Sequence, residues 1–64
     1  MVKVNGEAMD IAGKSIAEYL ALTAYDMKRI ATELNGEVVP KSKYAETVLK
    51  DGDSIEIVSF VGGG

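Results

Sequence analysis

The chain has 64 residues, 47% of them hydrophobic, and a formal net charge of −3. That length allows one domain with a small core. The absence of cysteine and histidine excludes disulfides and thiolate metal sites, and removes the usual nucleophilic thiol and the usual general base. The acidic balance disfavours nucleic acid and suits a partner with a basic docking face.

The first ten residues, "MVKVNGEAMD", place Val2 and Val4 on one face, then Asn5-Gly6, then Met9 and Ile11 alternating with Asp10. Alternating runs on either side of Asn-Gly predict a hairpin, with strands at Val2–Asn5 and Glu7–Ile11. The period then changes. Ser15 followed three residues later by Glu18 forms a capping box. Ile16, Tyr19, Leu20 and Thr23 make one face of the helix that starts there. The helix is expected to end near Thr23 or Ala24, and "YDMKR" leads the chain back.

Period two returns in "RIATELNGEVVP", with Ile30, Thr32 and Leu34 on one face and Ala31 and Glu33 on the other. Asn35-Gly36 is a second turn, and Val38-Val39 is a short strand stopped by Pro40. "KSKYAETVL" fits either one short helical turn or an irregular loop. "KDGD" supplies a tight turn at Asp51-Gly52-Asp53. "SIEIVSF" is the last strand, with Ile55 and Ile57 on one side and Glu56 and Val58 on the other.

One helix between the second and third strands makes the crossover over one side of a mixed sheet. The first and last strands then become central neighbours, as in a β-grasp fold of the α+β class. The expected core is Val2, Val4, Met9, Ile11, Ile16, Leu20, Ile30, Leu34, Ile55 and Ile57. Asp51 and Asp53 are turn residues rather than a calcium loop, which needs six or more oxygen ligands. Tyr19, Tyr25 and Tyr44 fill gaps in core or surface. Glu18 is a cap, and Lys14, Lys41 and Lys43 are solvated. No apolar stretch approaches the roughly 20 residues of a membrane span, and the N-terminal residues lack the long apolar core of a signal peptide. The expected location is the cytoplasm.

The two "NG" turns, "NGEVVP", "DGDSIEI" and the terminal "GG", in this order, resemble the small sulfur carrier proteins of thiamin biosynthesis, the ThiS type, which are ubiquitin-like β-grasp domains. The resemblance covers essentially the whole chain. Molybdopterin-synthase small subunits are similar too, but usually longer and with Phe-Pro near the tail, where this chain has "SFVGGG". It also ends in three glycines where the family pattern requires two.

The resemblance implies a protein substrate, not an enzyme, with a β-grasp domain over 1–61 and a flexible reactive tail over 62–64. A ThiF-like adenylating enzyme uses ATP to convert the carboxylate of Gly64 to an acyl-adenylate. Sulfur from a persulfide donor then leaves a thiocarboxylate, which a ThiG-like thiazole synthase consumes. Gly63 is the other half of the Gly-Gly pair, and Gly62 lengthens the tail. The carrier itself holds no cofactor and no metal, and is expected to be a monomer when free, with no contact to nucleic acid or membrane. Val58, Phe60 and Val61, on the stalk of the tail, are the expected docking residues, since exposed aromatics anchor interfaces. Three other readings stand beside this one: delivery to a pterin or other acceptor, a ubiquitin-like modifier that forms isopeptide bonds, and a plain β-grasp interaction module.

Overall fold

The architecture follows from two hairpins that cannot bury their apolar faces alone. The computed structural model describes residues 1–60. In chain order it has β1 (Val2–Val4), β2 (Glu7–Met9), α1 (Ile16–Ala21), a 3₁₀ turn at Met27–Arg29, β3 (Ile30–Leu34), β4 (Glu37–Val39), a second 3₁₀ turn at Lys41–Lys43, and β5 (Ser54–Ser59). The sheet order is β2-β1-β5-β3-β4. The last strand lies in the centre, parallel to β1 and antiparallel to β3, which is the expected mixed β-grasp sheet.

Both hairpins turn on Asn-Gly with positive φ at each residue: 51° and 85° at Asn5 and Gly6, 50° and 87° at Asn35 and Gly36. These are the left-handed conformations that a two-residue hairpin turn needs for its twist to match that of the strands. The strands are shorter than the sequence predicts. Asn5 is already in the turn, and β2 stops at Met9 while Ile11, buried, lies in the loop beyond it.

Helix α1 is six residues long, too short to hold itself in water. It persists because its free N-terminal donors are satisfied. The N–H of Glu18 bonds Ser15 Oγ at 3.0 Å, and Glu18 Oε1 takes the Ser15 N–H at 2.8 Å. These bonds to Ser15, backbone first, hold the Glu18 carboxyl below its ordinary pKa. The N–H groups of Ile16 and Ala17 are taken by Thr47 O at 2.9 Å and Tyr44 O at 3.1 Å. The segment after the second 3₁₀ turn therefore lies along the helix start. The helix ends at Ala21, earlier than expected, with Leu22 as its cap and Thr23 Oγ1 turned back to Leu20 O at 2.7 Å.

The core lies between α1 and one side of the sheet. Val2, Val4, Ile11, Ile16, Leu20, Ile30, Ile55 and Ile57 are buried as expected. Met9 and Leu34 are only partly buried: Met9 lies on the edge strand β2, and Leu34 is the last residue of β3, beside the turn. Tyr19, Tyr44 and Leu49 complete the core. Burial raises the pKa of the Tyr19 phenol, whose hydroxyl meets Met9 Sδ at 3.6 Å. Thr32 is fully buried, and its Oγ1 has no hydrogen-bond partner.

Candidate functional site

The strand that leads to the terminal glycines is the most heavily braced element of the sheet. At its start, the Asn35 N–H bonds Ser54 O at 2.8 Å and Asn35 Oδ1 accepts from Ser54 N at 3.0 Å. Asn35 Nδ2 also reaches Asp53 Oδ1 at 3.1 Å, while Asp53 Oδ2 accepts from Lys50 N at 2.9 Å. Asp53 thus closes the turn into β5, in keeping with its reading as a turn residue. Among the described residues no cluster of three or more acidic groups could hold a metal.

Farther along β5, the backbone of β1 runs out. The Asn5 N–H makes the last main-chain rung, to Ile55 O at 2.9 Å. The Asn5 side chain then supplies one more: its Oδ1 accepts from Ile57 N at 2.7 Å and its Nδ2 donates to Ile57 O at 3.3 Å. An amide side chain has one donor group and one acceptor on the same end, so it imitates a residue of a neighbouring strand. On the other side, β3 accompanies β5 to its end: Ile30 lies opposite Ser59, and Phe60 N donates to Arg29 O at 2.7 Å.

Alternation along β5 sorts its side chains. Ile55 and Ile57 face the helix, whereas Glu56, Val58 and Phe60 face out. Val58 and Phe60 are 52% and 51% exposed, so neither fills the core. The register sets Ala31 beside Val58 and Glu33 beside Glu56. Val38, 69% exposed, follows beside Glu33 on β4. The outer face thus carries exposed apolar residues together with two directly opposed carboxylates, a pairing that costs an isolated sheet stability.

Of the residues expected to form the site, Val58 and Phe60 share this outer face. Val61, Gly62, Gly63 and Gly64 lie outside the described residues. Sequence reading placed Asn5 at the end of the first strand and in its turn but missed its side-chain role, and it missed the outward set Ala31, Glu33, Val38 and Glu56. Glu33, Ala31, Glu56 and Val58 were already on the outward faces of their strands by alternation. Their meeting depends on the pairing of β3 with β5, which no local pattern states. None of the described helices is long and apolar enough to cross a membrane.

The ThiS family model matches residues 2–64. The chain is 40% identical to the sulfur carrier protein ThiS of Bacillus subtilis and 34% identical to that of Thermus thermophilus, in each case over 100% of both chains. It is also 42% identical, over 95% of its length, to a thiazole synthase of Paramagnetospirillum magneticum, of which it spans only 19%. Among solved structures, a thiamine biosynthesis protein (ThiS) from Geobacter metallireducens superposes with a TM-score of 0.79 at 37% identity, covering 98% of this chain and 97% of that one. A family match over nearly every residue, relatives alike from end to end, and a shared sheet with one helix agree: the chain belongs to the ThiS family.

Proposed function

We propose that the chain is a sulfur carrier protein of thiamin biosynthesis, which is modified at the carboxylate of Gly64 and delivers sulfur for thiazole formation. The observation that carries this reading is the family match running through residue 64, joined to the full-length relatives named as sulfur carriers. The domain presents the tail and is acted on by enzymes rather than being one. The reading puts it in the cytoplasm, where its partner has ATP.

The chemistry suits these residues. A carboxylate oxygen of Gly64 attacks the α-phosphate of ATP and releases pyrophosphate, which turns a poor electrophile into an acyl-adenylate. A persulfide sulfur attacks the acyl carbon and expels AMP. A thiol then reduces the resulting acyl disulfide to the thiocarboxylate. Glycines have no side chains to obstruct a narrow channel and accept backbone angles closed to other residues. The chain has no cysteine to intercept its own activated carboxylate. A thiazole synthase is the proposed acceptor, supported by the occurrence of a ThiS-like region within the P. magneticum enzyme.

Val58 and Phe60 form the proposed docking surface for the adenylating enzyme, together with Val61 at the foot of the tail. The exposure of Val58 and Phe60 together on the outer side of the strand that leads to the tail supports this, since solvent-facing aromatics are typical interface anchors. The test is the intact mass of the chain after incubation with adenylating enzyme, ATP and a persulfide donor. The expected result is a gain equal to one oxygen-for-sulfur exchange. A chain extended by one residue should fold normally and gain nothing, because its carboxylate is displaced by about 3.5 Å and even about 1 Å can cost a hundredfold in rate. An unchanged mass for the native chain, or normal modification of the extended one, would overturn the reading. Higher-mass conjugates on lysines would point instead to a protein modifier.

A further inference from the structure

A tail of Gly62, Gly63 and Gly64 offers a partner no side chain to hold. An enzyme that must place the last carboxylate to within about 1 Å therefore gains from a second means of fixing register beside the proposed side-chain anchors before the tail, and backbone N–H and C=O groups can supply it. The structure indicates where the first of them lies. Along β5, the N–H and C=O of Ile55 and Ile57 point toward β1, while those of Val58 and Phe60 point toward β3. Alternation then directs the N–H and C=O of Ser59 to the β1 side. β1 has ended by that point, and the Asn5 side chain reaches no farther than Ile57. No described residue bonds the main chain of Ser59, which is exposed. On its other side the strand stays pinned at residue 60 by Arg29 O.

We infer that Ser59 opens a strand-addition site, where an extended segment of the adenylating enzyme pairs with β5 in the lane that β1 vacates. Pairing of this kind draws its affinity from main-chain hydrogen bonds. Each rung is fixed to one residue, so Ser59 is held in one register and the carboxylate of Gly64 can lie no farther than five extended residues beyond it, roughly 17 Å. Asn5 has two effects here. It completes the rung at Ile57 and it marks where the added strand must begin. The inference rests on adenylation at Gly64.

Ser59→Pro tests it. Proline removes the Ser59 N–H, which β3 does not use, and proline is tolerated at strand positions whose N–H faces away from a partner. The expected result is a Tm within about 4 °C of the parent and kcat/KM for adenylation lowered roughly tenfold or more, the loss of one interface hydrogen bond and its register. Ser59→Ala, which removes only the hydroxyl, should behave as the parent. Val58→Pro, which breaks a rung to β3, should instead lower Tm clearly. Amide exchange on the unsubstituted chain gives a second measurement that needs no variant: the Ser59 N–H should become protected in the complex. A parent that is adenylated while Ser59→Pro reacts at the same rate, or an unprotected Ser59 amide in the complex, would overturn the inference alone. A parent that is not adenylated at all would overturn the functional reading, and this one with it.

Discussion

The two faces of β5 carry similar side chains and meet opposite surroundings. Ile55 and Ile57, on the inner face, are 0% and 6% exposed, whereas Val58 and Phe60, on the outer face, are half exposed. Both pairs come from one run, "SIEIVSF", in which apolar character persists where the alternation calls for polar residues. The inner pair is explained by folding: it meets α1 and fills the core. Folding does not explain the outer pair, nor the Glu33–Glu56 opposition beside it, which works against the isolated sheet. Residues that fail to help the free molecule are better explained by what the molecule meets.

The comparison can be broken most directly at Ile57. Ile57→Ala should cost about 2–5 kcal/mol of stability, as buried aliphatic truncations do, a large share of the total for so small a domain. Denaturant melts of Ile57→Ala and Phe60→Ala should differ widely, with Phe60→Ala close to the parent. Equal losses would erase the distinction between the faces.

In binding the order should reverse. Phe60→Ala should weaken association with the adenylating enzyme by about 1 kcal/mol or more, read by titration calorimetry on the folded variants. An unchanged affinity would leave Phe60 as an incidental exposed side chain.

Two smaller effects sharpen the contrast. On the inner face, Thr32 is buried between Ile57 and Val39 with an unpartnered hydroxyl. Thr32→Val keeps the shape and removes the desolvated group, so it should stabilise the fold by about 1 kcal/mol, seen as a raised Tm. On the outer face, Glu56→Gln relieves the opposed charges and should also stabilise, by about 0.2–1 kcal/mol, with the gain shrinking as salt is added. If Glu56→Gln lowers Tm, the two carboxylates do not repel one another as their register implies.

What the sequence made legible follows from the range of each interaction. Asn-Gly turns, the Ser15–Glu18 box and the alternation of β3 and β5 are set by residues within four positions of one another, and each is found where the pattern puts it. Tyr44, read as filling a gap in core or surface, lies in the core, and Leu49, absent from the expected core, joins it. They sit in an irregular stretch with no period, and are buried because Gly13, Lys14, Ile16 and Ala17 bond that stretch to the helix start from some 30 residues away. The early end of α1 has a local cause that propensity overlooks: the Thr23 hydroxyl competes for the Leu20 carbonyl. At the site, the outward placement of Val58 and Phe60 was legible from the alternation of β5, whereas the terminal glycines lie outside the described residues. The lane left open beside Ser59 was not legible, because it exists only through the mismatch in length between β1 and β5.

The central place of β5 governs how the chain comes to be folded as it is made. Without β5, the hairpins β1–β2 and β3–β4 share no strand, since every link between them passes through it. The parallel pairing of Lys3 with Ser54 closes a loop of about 50 residues. Nothing resembling the sheet can therefore assemble on a ribosome until the last strand has cleared the exit tunnel. A nascent chain stopped at Asp53 should remain protease-sensitive throughout, and the exposed outer face of β5 is made together with the residues that complete the core.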